Sequence, residues 1–255
     1  MRVLHVDPAA LRQACRRGEF DRPTAGHVPG YVQSNLVILP HADAADFLLF
    51  CQRNPRACPL VEVLAPGARE PACAPGADLA TDLPGYRIHR DGALAEERAD
   101  IRALWQPDFT SFLIGCSFSF ESALQQAGIA LRHIDQGRNV AMYRTNLPCA
   151  PAGRFEGEMV VSMRPIKRGD VGTVVEICGR FPQSHGAPVH VGDPRALGIA
   201  DLAAPDYGDA VQILDDELPV FWACGVTPQW VVQRSGLALC ITHAPGKMFV
   251  TDLKG

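Results

Sequence analysis

The stretch Asp108–Gln126, DFTSFLIGCSFSFESALQQ, decides how the fold is read. Its apolar residues and the closing Gly128 predict a helix over 108–126. Gly115 and two serines interrupt that helix. A glycine inside a helix costs about 1 kcal/mol relative to alanine, so an ordinary helix former would have been the easier choice. Two explanations stay open. The stretch is a kinked core helix with an inert cysteine, or Gly115-Cys116-Ser117-Phe118-Ser119-Phe120-Glu121 is broken for the sake of chemistry.

Working outward, Asp7-Pro8 pairs a good N-cap with the proline favoured at a first helical position, and Gly18 closes that helix. Leu36–Leu39 reads as a buried strand ended by Pro40. Ala44, Phe47, Leu48 and Cys51 share one helical face, stopped by Asn54-Pro55. A strand at Leu60–Leu64 leads into a loop rich in proline and glycine. Tyr86–Arg90 followed by Asp91-Gly92 reads as a hairpin. Beyond Gly128, strands are predicted at Leu131–Asp135, Val140–Thr145, Met159–Arg164 and Val189–Val191, with a helix through Val171–Cys178. Val220–Cys224 is an apolar strand, and Thr227-Pro228 opens the last helix before strands at Leu239–Thr242 and Met248–Thr251. Strands alternating with helices imply an α/β fold with a mainly parallel sheet flanked by helices. The strand-rich stretch 129–192 is expected to be an inserted two-layer α+β module, which leaves 1–128 and 193–255 as one discontinuous α/β domain. No repeat is visible in the sequence.

The 255 residues are 47% hydrophobic and can bury a sizeable core without a disulfide or metal staple. A net charge of −4 and 7% aromatic residues argue against a nucleic-acid surface. Nine cysteines, an odd number without any Cys-x-x-Cys pair, fit neither a disulfide framework nor a zinc finger, and suit a reducing cytoplasm. Met1–Phe20 holds no apolar core of a signal peptide, and no run of 18 apolar residues predicts a membrane span. Dinucleotide, P-loop, nucleophile-elbow and His-Glu-x-x-His fingerprints are all missing, so neither cofactor nor metal is assigned.

Five clusters remain. In the first, Ser117 and Ser119 are candidate anion donors, and Cys116 and Glu121 candidate proton carriers. The second gathers Arg138, Asn139, Tyr143, Arg144 and Asn146 with Arg164, whose guanidinium forks suit a carboxylate. On an alternating strand Arg144 and Asn146 share a face and point together into a cleft, unless that face is merely solvated. The third places His185 and His190 five residues apart, suited to acid–base work. The fourth, Ala223-Cys224-Gly225-Val226-Thr227-Pro228, ends a strand and starts a helix, where Gly225 and Thr227 could offer backbone donors to an anion and Cys224 a thiol. The fifth is His243, again at a strand end.

Together these strings resemble the "putative hydro-lyase" family that includes D-glutamate cyclases. The resemblance is carried by Pro29-Gly30-Tyr31-Val32-Gln33 with Asn35-Leu36-Val37, Phe50-Cys51-Gln52-Arg53-Asn54-Pro55, Gly115–Glu121, Gly137-Arg138-Asn139-Val140 and Tyr143-Arg144-Thr145-Asn146. It continues through Ser162-Met163-Arg164-Pro165, His185-Gly186-Ala187-Pro188, Cys224–Pro228 and Thr242-His243-Ala244-Pro245-Gly246. It implies a cytosolic lyase acting on a small acidic amino or hydroxy acid, with a eukaryotic relative that forms 5-oxo-D-proline and water from D-glutamate. It brings no settled catalytic residues, so roles rest on chemistry. Arg144 and Arg164 would hold the α-carboxylate, the backbone at Gly225–Thr227 with Ser117 or Ser119 would hold the oxyanion, and His185, His190 or His243 would move protons. Two rival classes stand beside this one. One is a racemase or epimerase of acidic amino acids using Cys116 and Cys224; the other is a non-catalytic carboxylate-binding protein. The expected partner is the small acidic substrate, with neither nucleic acid nor membrane, and a homodimer is compatible with the chain.

Overall fold

The Asp7 carboxylate accepts from the backbone N–H groups of Ala9 and Ala10, and Pro8 opens helix α1 (Pro8–Arg16), as the capping signal predicts. The structure is a computed structural model and describes residues 5–255. Of the Met1–Phe20 segment read above, residues 1–4 lie outside the described residues. The remaining elements are β1 (Tyr31–Pro40), α2 (His41–Arg53), β2 (Leu60–Val63), β3 (Tyr86–Arg90), β4 (Ala93–Arg98), β5 (Phe109–Gly115) and α3 (Phe118–Gln126). They continue as α4 (Arg132–Asp135), β6 (Ala141–Pro148), β7 (Glu158–Lys167), α5 (Val171–Gly179), β8 (His190–Val191), β9 (Glu217–Ala223), α6 (Val226–Arg234), β10 (Cys240–His243) and β11 (Phe249–Lys254). The β3–β4 hairpin turns on Asp91 and Gly92, both with positive φ (49° and 80°), the mirror-image turn that an Asp-Gly pair favours.

Among the described residues the strands form two sheets. The larger runs β2-β5-β1-β10-β3-β4, with β11 also paired to β1; the smaller runs β6-β7-β9-β8. Every ladder is antiparallel, which corrects the expected mainly parallel sheet, although the class is α/β. Helices do follow strands, but they do not close parallel neighbours. Helix α2 carries the chain from β1 to β2, and β5 runs between those two strands in the opposite direction. The apolar run Leu36–Leu39 invited the parallel reading because strands buried on both faces are typical of parallel sheets. Here one face is covered by helices and the other by coil. Val37 and Leu39 pack with Phe47 and Phe50 of α2 and Val231 of α6. Leu36 and Ile38 pack against Leu64, Ala74, Leu79 and Leu83 of the proline- and glycine-rich segment.

Two local expectations are also corrected. Phe109–Gly115 is strand β5, entirely buried, and the helix starts only at Phe118. Gly115 is therefore not a defect within a helix. A Cβ there would lie 1.6 Å from the Gln183 carbonyl oxygen, so the glycine admits a neighbouring backbone. Leu131–Asp135 is not a strand, since 132–135 form α4, from which Arg132 reaches Glu217 at 2.6 Å. The smaller sheet takes β9 from beyond residue 192, so its strands span 141–223 rather than ending within 129–192.

Candidate active site

Two strand-to-helix junctions, one from each sheet, meet between the sheets. Strand β5 ends in Cys116-Ser117 before α3, and β9 ends in Cys224-Gly225 before α6. They are held by the same set of bonds. The Cys116 N–H donates to the Gln33 carbonyl (3.0 Å), and the Gln33 N–H donates to Ser119 Oγ (3.0 Å). The Cys224 N–H donates to the Val160 carbonyl (3.0 Å), and the Val160 N–H donates to Thr227 Oγ1 (3.0 Å). Each hydroxyl also faces the carbonyl of the same strand residue, at 3.5 and 3.2 Å. Each helix then crosses to the other sheet. Phe120 and Leu124 of α3 pack with Ile166, Val220 and Trp222, while Val231 and Val232 of α6 pack with Val37, Phe112 and Ile114. This exchange brings the starts of both helices to one cleft.

Cys116 and Cys224 both line that cleft, which encloses about 50 Å³. Roughly 10–15 Å³ holds one water by this measure, so there is room for a compact polar ligand. Ser117, Asn35, Asn139, Gln229, Gln233, Tyr207 and Arg87 add polar groups, and Met142, Met248, Val140 and Trp230 add apolar wall. No Asp or Glu lines it among the described residues. Arg87, which lines the cleft and pairs through Nε with Glu97 Oε1 (2.7 Å), and the positive ends of α3 and α6 give the cleft a positive bias, although the chain carries −4 overall. Burial pushes the Cys116 thiol up to about 12, against the Phe118 N–H. Burial pushes Cys224 up to about 11, against the N–H groups of Val226 and Gly225 and the Arg164 charge. Both thiols are thus protonated at neutral pH unless ionised on substrate binding.

Behind Cys116 lies a buried ionic cluster. Arg164, 1% exposed, donates from Nη2 to Ser117 Oγ (3.0 Å) and Glu121 Oε1 (2.5 Å), and from Nη1 to Ser162 Oγ (3.1 Å). His133 Nε2 lies 2.9 Å from the same Glu121 oxygen. Burial alone would raise the Glu121 carboxyl, but Arg164 and His133 outweigh it and hold it below the usual range. On the Cys224 side, the Leu36 N–H donates to His243 Nδ1 (3.1 Å), and the Gln229 amide nitrogen lies 2.8 Å from Nδ1 and 2.9 Å from Nε2. Burial, aided by the Arg87 charge, holds His243 down at about 4. Gly225 is required by close packing, because a Cβ there would meet Asn35 Nδ2 at 1.9 Å. Asn35 is itself pinned by donating to the carbonyls of Ile114 (3.1 Å) and Gly115 (2.9 Å).

Of the residues singled out in the sequence, Cys116, Ser117, Asn139, Cys224 and His243 come together on the cleft wall. Arg164, Glu121, Ser119, Gly225 and Thr227 stand behind the wall and shape it. The others lie elsewhere. The alternation on β6 holds, but its polar face meets solvent, so Arg144 and Asn146 do not converge on a cleft. Arg144 pairs with Asp206 (2.9 Å), and its guanidinium lies 4.6 Å from the centre of the Trp230 ring. Arg138 is exposed and donates to the Ala210 carbonyl, and the Tyr143 hydroxyl is used on the Leu202 carbonyl. His185 is buried against the Arg56 carbonyl (2.8 Å), and burial holds it at about 4. His190 sits on edge strand β8 against the Asp193 carbonyl. Arg87, Asn35, Gln229, Gln233 and Tyr207 were not picked out as site residues. Asn35 lies inside the Asn35-Leu36-Val37 motif and Gln229 directly follows Pro228 of another, whereas Arg87 carries only the signature of a hairpin strand. Among the described residues, no group of three or more His, Cys, Asp or Glu gathers as a metal site, and no helix is long and apolar enough to cross a membrane.

Residues 110–252 match the family model described as D-glutamate cyclase. A "Putative hydro-lyase" of Stutzerimonas stutzeri is 58% identical over 98% of this chain and 94% of its own. One from Geobacillus kaustophilus is 57% identical over 95% of this chain and 93% of its own. Among solved structures, a nitrogen repressor-like protein of Methanococcus jannaschii aligns over 97% of this chain and 98% of its own, with a TM-score of 0.41 and 8% identity. The chain belongs to the D-glutamate cyclase family.

Proposed function

From that membership we propose that the protein is a lyase acting on a small acidic amino or hydroxy acid, and that it cyclises D-glutamate to 5-oxo-D-proline with loss of water. The observation that carries this reading is the cleft itself. It joins one arginine, the starts of two helices, neutral amides and two thiols, with no lining carboxylate to repel an acid. Arg87, rather than Arg144, is the residue assigned to the substrate's α-carboxylate. Desolvation in the cleft and the Arg87 charge both favour the neutral amine over the ammonium, so the nucleophile forms by losing a proton to solvent. The amine nitrogen then bonds to the side-chain carboxyl carbon. Ser117 Oγ–H and the free N–H groups at the start of α3 or α6 stabilise the developing oxyanion. The carbon–oxygen bond breaks as the departing oxygen takes two protons, one from the newly bonded nitrogen and one from a cysteine thiol. The lactam and one water result, and the thiolate regains its proton from solvent. His243, neutral and fixed by Leu36, positions Gln229 rather than acting as a base.

The test is to incubate the purified protein with D-glutamate, L-glutamate and a panel of hydroxy acids, and to follow products by chiral chromatography with mass detection. Formation of 5-oxo-D-proline that Arg87→Met strongly reduces supports the assignment. No dehydrated or cyclised product from any member of the panel refutes it.

A further inference from the structure

Cyclisation needs one proton donor near one carboxyl group, yet the cleft presents two cysteines in equivalent settings. The equivalence is internal to the chain. Cys116, Ser119 and Gln33 correspond to Cys224, Thr227 and Val160, bond for bond. It extends to strand register, since Asn35 pairs with Ile114 across β1 and β5 as Ser162 pairs with Trp222 across β7 and β9. The two units therefore repeat one backbone pattern, in hydrogen bonds and in strand register. Each cysteine ends a strand, and each faces N–H groups of its own helix start: Phe118 for Cys116, and Val226 and Gly225 for Cys224. The units belong to different sheets, and both thiols line the same ligand space.

We propose that Cys116 and Cys224 form a two-thiol acid–base pair that exchanges and inverts the α-hydrogen of an acidic amino acid bound between them. The inference rests on reading the cleft as a site for such an acid. One cysteine first loses its proton to solvent, its thiolate held by its helix N–H groups and the Arg164 charge, and then takes the α-proton from one face. The carbon–hydrogen electron pair delocalises into the α-carboxylate, which Arg87 neutralises. The other cysteine gives its S–H proton to the opposite face of the same carbon. The product is the mirror-image amino acid. One thiol and one thiolate have traded roles, so no oxidant, water or cofactor enters the balance. A cyclase specific for one enantiomer would gain from this step, because either enantiomer could then feed the same lactam.

The experiment is run in deuterated buffer with D- and L-glutamate and with D- and L-aspartate as separate probes. Proton NMR follows loss of the α-hydrogen signal, and chiral chromatography follows inversion and 5-oxoproline in the same samples. The expected result is α-deuterium in both enantiomers of at least one pair, with interconversion. Cys116→Ser and Cys224→Ser should each lower exchange by about 10²–10⁴-fold, the usual contribution of a positioned proton carrier. Cys15→Ser, in the remote cluster around α1, should leave it unchanged. The wild-type exchange is decisive even if a cysteine variant fails to fold. Production of 5-oxoproline without α-deuterium overturns the thiol pair and leaves the lyase reading standing. Exchange without 5-oxoproline supports the pair and overturns cyclisation. Neither signal with any probe overturns both.

Discussion

Replacing Glu121 by alanine should be among the most destabilising single changes in this protein. Glu121 and Arg164 are 2% and 1% exposed, and the carboxylate oxygen lies 2.5 Å from Nη2. Removing the carboxylate strands the guanidinium in the core with only the Ser117 and Ser162 hydroxyls. Breaking a buried pair from one side costs about 3–5 kcal/mol, because the remaining charge is no longer compensated. For a chain of this size, 1 kcal/mol moves the melting point by about 2–4 °C, so Glu121→Ala should melt about 6–20 °C lower. Glu121→Gln should lose less, since it keeps the shape, and the equivalent place at the second junction is already Gln229. Glu121→Leu with Arg164→Met should recover much of the loss, because an apolar pair needs no counter-charge. The folded-state pKa of Glu121 is lowered, so its contribution is full above the ordinary carboxylate range and lost as pH falls through the folded value. Urea unfolding and calorimetry at pH 7, and again at successively lower pH, measure both effects. A Glu121→Ala variant within 1 kcal/mol of wild type at pH 7 would refute the reasoning, as would a deficit that does not shrink in acid.

Other consequences can be measured alongside. Gly225→Ala should cost about 1–3 kcal/mol through overpacking, and Asn35→Ala in the same chain should relieve part of it; additive losses would show that the 1.9 Å approach is not the cause. Arg87→Met should weaken binding of the acidic substrate about 10- to 150-fold, as expected for a charged hydrogen bond, while Arg144→Ala should change it little; titration calorimetry with both variants distinguishes the two arginines. His89, His185 and His243 are each held at about 4 by burial. Because these folded values lie below that of a free histidine, the unfolded chain binds more protons between about pH 4 and 6.5, and stability must fall as pH falls through that window. With three such groups the slope near pH 5 should reach about 3–4 kcal/mol per pH unit, and a flat urea-unfolding profile there would contradict it.

Local elements were largely legible because their signals are local. Asp7-Pro8 caps its helix through atoms two and three residues away, and Asp91-Gly92 turns its hairpin through its own dihedral angles. The partners that make Gly115 necessary were not legible. The carbonyl of Gln183 excludes a side chain there, and nothing near residue 115 announces a contact with residue 183. Without that contact, the glycine looked like a flaw in a helix. The same holds for sheet direction, because burial on both faces shows in the sequence while what covers each face does not. Coil over 64–83 does for one face what a second helix layer would do in a parallel sheet.

The sequence by itself determined an α/β chain of one family, the Asp7-capped first helix, the Asp91-Gly92 turn, and Cys224 at a strand end where chemistry can use it. Side-chain type and near-neighbour geometry suffice for those. Only the tertiary structure decided which charges reach the cleft. Arg144 lies on the solvent face of β6 and Arg164 is buried against Glu121, while Arg87 from an ordinary hairpin strand lines the site even though its Nε pairs with Glu97. It also revealed that Cys116 and Cys224 are counterparts. Their likeness lies in hydrogen bonds to Gln33 and Val160, and backbone groups make such bonds whatever side chains surround them.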